Sequence, residues 1–192
     1  EQIKQATDEM RRAASNQQNG QGSEAEAQRA AERLEEARKL MRDMDRQGRQ
    51  QQLSELSQRS EELATRQKEF EQRMRQQFGN GENKNPQAKT NSLGEGGDPR
   101  VNKQMGDEKQ KMLEDYQRLE KDLQDAARQL QSSQRAASSK LREGLGEIQK
   151  EDINLKMKMM SEYIRRGYGQ YMSGREKEVT RALEQLRDKV KE

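Results

Sequence analysis

The stretch from Asp107 to Arg166, DEKQKMLEDYQRLEKDLQDAARQLQSSQRAASSKLREGLGEIQKEDINLKMKMMSEYIRR, contains no proline. Its apolar residues recur at alternating steps of three and four, through Tyr116, Leu119, Leu123, Ala126 and Leu130, with Ser133 and Ala137 continuing the series. That is the a/d seam of a coiled coil. The seam then takes two further steps of four, through Leu141 to Leu145, before Ile148, Asp152, Leu155 and Met159. Such a stutter locally unwinds a left-handed supercoil; because it coincides with Gly144 and Gly146, a bend or a change of partner is expected there. Read as one helix, the stretch would run about 90 Å, so a rod is expected.

Composition supports the same class. Of 192 residues, 28% are apolar, 3% aromatic and 38% charged, too little apolar surface for an ordinary compact core of this length. The apolar residues must therefore lie in narrow stripes, although hydrophobicity this low also leaves partial disorder open. Charge is evenly interleaved: residues 1 to 78 carry 15 basic and 15 acidic side chains, and residues 107 to 160 carry 11 of each. A nucleic-acid binder would show a one-sided basic stripe, so no nucleic-acid partner is expected.

Ahead of the organising stretch, Ile3, Ala6, Met10 and Ala13 or Ala14 share a face of a short helix over 3–14, and Ser15 to Ser23 reads as a loop. Ser23 is a candidate N-cap, followed by a heptad seam at Ala27, Ala30, Leu34, Ala37, Met41 and Met44. The rhythm is lost near Gly48, which predicts a break or kink between helices at 24–46 and 49–78, with one continuous helix carrying a phase shift as the alternative. It resumes through Leu53, Leu56, Leu63, Phe70, Met74 and Phe78, with Ser60 and Gln67 in the intervening seam positions.

Residues 79–104 read as a flexible Gly/Asn/Pro linker, since Gly79 to Arg100 holds both prolines and five of the fourteen glycines. A phosphate-cradling loop at Gly94, Gly96 and Gly97 would need a preceding strand and a following Lys-Ser/Thr, and the sequence has neither. The two long helical segments on either side are of similar length, so an antiparallel hairpin satisfies both seams. Two such helices bury little, and a third helix or a second chain is expected to complete the core. A C-terminal helix over 175–191 presents Val179, Leu183, Leu186 and Val190 on one face. The expected domains are thus 1–78, the linker, and 105–192.

With no His and no Cys, the usual nucleophilic triads and imidazole or thiolate metal sites are excluded. Asp43 with Asp45, and Glu151 with Asp152, sit at helix spacings that point their carboxylates apart, so solvated faces are expected rather than a divalent-cation site. No cofactor and no enzymatic activity are expected. No window approaches a membrane span, and Glu1 stands where an initiator Met would, so a chain soluble as given and a mature or excised fragment are expected.

The run from Ile153 to Met172 carries four of the ten methionines and three of the four tyrosines. It admits a packing joint, a docking surface for a partner helix or subunit, or contact with a membrane surface through Lys156, Lys158, Arg165 and Arg166 beside Leu155, Met159, Ile164 and Tyr168. The candidate partner-binding residues are Met159, Met160, Tyr163, Ile164, Arg165, Arg166, Tyr168, Tyr171 and Met172.

The stretch SEYIRRGYGQYMSGREKEVTRALEQLRDKV, Ser161 to Val190, resembles the C-terminal region of large bacterial inner-membrane proteins of unknown function. Those proteins carry N-terminal transmembrane helices and a long Gln/Glu/Arg-rich helical region outside the membrane. MRRAA from Met10 and the run AQRAAERLEEA from Ala27 resemble their helical repeats more weakly. The resemblance implies an envelope-facing, periplasmic helical segment, anchored only through segments absent from this chain, and it implies no catalytic residues.

The expectation is therefore an all-α protein, an elongated antiparallel hairpin or coiled coil with a short C-terminal helix, acting as a structural or interaction segment of a bacterial envelope protein. Its partner would be another protein or a further copy in a homo-oligomer. A cytoplasmic coiled-coil adaptor that oligomerises through its seams is the competing expectation.

Overall fold

A computed structural model describes residues 8, 11, 23–78 and 98–191. The expected helix over 3–14, the loop after it and linker residues 79–97 fall almost wholly outside the described residues. The fold is all-α: helices α1 (Ser23–Phe78), α2 (Pro99–Gln129), α3 (Arg135–Lys150), α4 (Ile153–Arg165) and α5 (Gly169–Lys191). Among the described residues, no helix is long and apolar enough to cross a membrane.

The chain divides into two units, Glu1–Gln52 and Leu53–Glu192. In the first, the described part of α1 carries Ala37 buried, Leu34 half-buried and Leu40, Met41 and Met44 exposed. The break expected at Gly48 does not occur, and α1 runs on for 56 residues. One glycine costs a helix about 1 kcal/mol, too little to interrupt it when the surrounding residues favour helix.

The second unit is a four-helix arrangement, up-down-up-down, in which α3 and α4 together form the third leg. Two ladders of ion pairs show the pairing. Arg59, Arg66 and Arg73 on α1 meet Asp122, Asp115 and Glu108 on α2, each step seven residues along both helices and in opposite directions. Glu61 and Lys68 meet Lys191 and Glu184 on α5 in the same antiparallel sense. These pairs are substantially exposed, so each stabilises by only about 0.2–1 kcal/mol and contributes mainly to register.

The core is built from the seams. Leu56, Ser60, Leu63, Gln67, Phe70 and Met74 of α1 are buried, as are Tyr116, Leu119, Leu123 and Ala126 of α2 and Val179, Leu183 and Leu186 of α5. Both seams are thus satisfied within one chain, with α5 and the α3–α4 leg supplying the expected additional helices.

The single helix expected from Asp107 to Arg166 is instead three. It starts earlier, at Pro99, where Asp98 caps by accepting a hydrogen bond from the Arg100 backbone N–H at 2.8 Å. The first interruption falls at Leu130 to Gln134, where the polar run Gln131-Ser132-Ser133 offers the backbone competing hydrogen bonds and no apolar group to bury. Ser133 is accordingly exposed rather than a seam residue. The glycines of the stutter do not bend the helix, because Gly144 is used for close packing: a Cβ there would come within 3.1 Å of the Lys189 side chain.

The second interruption falls at Glu151-Asp152, with Asp152 in the left-handed region at φ 50°. This joint shifts the helical phase. Asp152, Leu155 and Met159, expected in the seam, all turn outward, and Ile153, Met157, Met160 and Ile164 take the core. Aspartate tolerates the left-handed conformation better than most side chains but still carries strain. Asp152→Gly is expected to raise unfolding stability by about 0.5–1 kcal/mol, the relief of strain exceeding the added entropy of the unfolded glycine. Chemical denaturation measures it, and an unchanged or lowered midpoint would contradict a strained joint.

The C-terminal helix also begins before the expected residue 175, at Gly169. The Phe78 ring lies where a Gly169 Cβ would be, 2.7 Å away, so the end of α1 packs directly on the start of α5.

Candidate functional site

Two places in the second unit depart from ordinary bundle packing. One is a polar layer in the core. Gln67 sits on the α1 seam between Leu63 and Phe70, Lys109 lies one heptad before Tyr116 on α2, and Glu176 lies three residues before Val179 on α5. The seam phase therefore carries all three inward. Lys109 Nζ donates to Gln67 Oε1 at 2.8 Å and to Glu176 Oε2 at 2.5 Å. Gln67 Nε2 donates to the same Glu176 oxygen at 2.8 Å and to Thr180 Oγ1 at 3.3 Å. The ammonium also stands 5.0 Å from the centre of the Phe70 ring.

Both charged side chains are 0% exposed. Burial pushes the Lys109 ammonium below its ordinary pKa, while the Glu176 carboxylate beside it opposes that shift. Among the described residues, Glu176 Oε1 accepts no hydrogen bond. Among the described residues, the two charged ends of the layer are closed off from solvent. Its chemistry is internal: the two charges neutralise each other only when α2 and α5 stand in this one register.

The other place is the outer face of α4 and its corner with α5. Leu155, Met159 and Tyr163 are 56%, 40% and 41% exposed and follow one another at four-residue steps. They are a continuous apolar stripe, because i and i+4 positions stack on one helix face. Tyr168 extends it, its ring 6.2 Å from Tyr163 and 6.3 Å from Tyr171, which is 65% exposed.

The structure divides the nine candidate partner-binding residues. Met160, Ile164 and Met172 are buried in the core and present nothing outward. Arg165 is bound to Asp107 at 2.8 Å, and its stem covers Gly106. Met159, Tyr163, Arg166 and Tyr171 are exposed, and Tyr168 is half-buried between the other two rings. Leu155 belongs to the same stripe, although its spacing had placed it in the seam.

No protein-family model, curated protein or solved structure matches this chain.

Among the described residues, no group of three or more carboxylates is placed to hold a metal ion. The grooves between helices are open and lined by charges that answer each other, as at Arg59, Arg66, Asp115 and Asp122 between α1 and α2. Tyr116 is buried on α2, and burial, aided by Glu120, pushes its hydroxyl well above the usual tyrosine range. An acid whose folded pKa is raised contributes stability in full below its unfolded pKa, near 10, and loses it as pH rises beyond that value. Stability is therefore expected to fall above about pH 10, and Tyr116→Phe to shallow that fall. Denaturant melts at stepped pH measure this, and identical slopes in both proteins would refute it.

Proposed function

We propose that this chain is a non-enzymatic structural and interaction segment of a bacterial cell-envelope protein, recognising a protein partner through the outer face of α4 and its corner with α5. The observation that carries the interaction reading is the Leu155, Met159, Tyr163 and Tyr171 surface. A bundle this poor in apolar residues leaves four large ones outside together, where water gains nothing from them. Methionine and tyrosine suit adaptable contact with another protein, the first through flexibility and the second through a ring with a polar end. The envelope and periplasmic placement rests on the likeness of Ser161 to Val190 to the C-terminal region of bacterial inner-membrane proteins.

The test has two arms. Fractionation of bacteria producing the full-length gene product should recover it with the envelope; recovery in the cytosol alone overturns the placement. For recognition, Tyr163→Ser with Tyr171→Ser should abolish capture of the partner from envelope extract while leaving the far-ultraviolet circular dichroism unchanged. Undiminished capture by that variant overturns the surface assignment. Ile164 is unsuited to such a variant, being fully buried.

A further inference from the structure

We infer that the outer face of α4 pairs with the same face of a second copy of this chain, antiparallel, about a twofold axis near Met159. This rests on the reading of that face as a protein-contact surface and names its occupant. The argument is charge complementarity with itself. Lys158 and Glu162 flank the same side of the Leu155–Met159–Tyr163 stripe, both are exposed, and neither has an ion-pair or hydrogen-bond partner for its side chain among the described residues. Neighbouring cations are engaged within the chain: Lys156 with Glu151 and Glu178, and Arg165 with Asp107. Among the described residues, Lys158 and Glu162 thus stand one turn apart beside the apolar stripe without ion partners, and Arg166, likewise without one, lies beyond its C-terminal end.

An antiparallel twofold at Met159 uses all of these. Met159 meets the partner's Met159 on the axis, and Leu155 meets the partner's Tyr163. Lys158 then faces the partner's Glu162, and symmetry makes a second identical pair on the other side of the axis. A parallel pair would instead bring the Lys158 side of one stripe against the opposite flank of the other, toward the partner's Lys156, and leave Glu162 without a counter-charge, so the charges select direction as well as partner. The left-handed Asp152 joint is what presents this stripe: with continuous seam phase, Leu155 and Met159 would lie in the core and no such surface would exist.

The contact is one helix of 13 residues against its copy, which belongs at the small end of specific interfaces and makes the dimer reversible. Sedimentation equilibrium of the whole chain is expected to show a monomer–dimer equilibrium. Lys158→Glu alone and Glu162→Lys alone should each weaken association on the order of tenfold, because each turns two symmetric attractions into repulsions. Mixing the two variants should restore association, since every pair across the interface is again opposite in sign. Met159→Lys, which sets like charges on the axis, should leave a monomer. All three positions are exposed, so circular dichroism should be unchanged, as should melting at concentrations where the wild type is monomeric.

A wild-type chain that stays monomeric, or a dimer indifferent to the charge exchanges, overturns the self-pairing. A monomer that still captures an envelope protein through Tyr163 and Tyr171 would sink this inference and leave the interaction reading standing. A dimer that obeys the charge exchanges but fractionates with the cytosol would do the reverse to the envelope placement.

Discussion

Lys109→Met is expected to destabilise the second unit by about 3–5 kcal/mol. The variant side chain fills a similar volume, so packing is not the main loss. It leaves the Glu176 carboxylate, 0% exposed, with only the Gln67 amide to hold its charge. The companion change Glu176→Met strands the ammonium in the same way. Changing both at once should recover most of the loss, because an apolar pair needs no desolvation of charge, and the double-mutant cycle should return a coupling of several kcal/mol.

Urea melts of the wild type, the two single variants and the double variant measure the cycle. A single-variant cost under about 1 kcal/mol would mean that water reaches the pair and that the layer does not set register.

Phe70→Ala is expected to cost about 3–5 kcal/mol by the same measurement. The ring is fully buried, lies against Lys109 and also takes the Arg73 guanidinium at 5.7 Å from its centre. Its loss removes apolar burial and leaves a cavity beside the ammonium, whose attraction to the ring stabilises by about 1–2 kcal/mol when desolvated. Phe70→Ala and Lys109→Met should therefore not add: the double variant should lose less than the sum of the singles. Met41→Ala on the same helix, exposed in the first unit, should fall within about 0.5 kcal/mol of wild type and serves as control.

Much of the fold was legible because it follows from spacing alone. The α1 seam from Leu56 to Met74, including its two polar members Ser60 and Gln67, is buried as its periodicity requires. So are Tyr116, Leu119 and Leu123 on α2 and Val179, Leu183 and Leu186 on α5. The joints were not legible. A seam count assumes that every residue keeps helical dihedrals, and one residue at φ 50° resets the phase of everything after it. That is why Leu155 and Met159 were placed inside, and why Met160 and Ile164 were counted on the surface.

The reverse error occurred at Gly48 and at Gly144 and Gly146, where glycine suggested interruption. In α1 its propensity cost is small against that of the flanking helix. In α3 the absent side chain at Gly144 admits Lys189 and Leu186 of α5. The polar layer did leave a signal. Lys109 and Glu176 both fall on the seam phase, seven before Tyr116 and three before Val179, and a charged residue at a seam position in each of two helices is a candidate pair. The candidate docking surface was legible in composition, as the Met- and Tyr-rich run, and illegible in detail, since exposure depends on the Asp152 joint.

The buried pair also imposes an order on assembly. Lys109 and Glu176 are 67 residues apart in the chain, and of the described helices α5 comes last. Until α5 docks, Lys109 would face an apolar groove without its counter-charge, so the first three legs are held short of a stable bundle. A chain that lacks α5 therefore keeps a buried cation without its counter-charge, and closure of the core waits on the docking of α5.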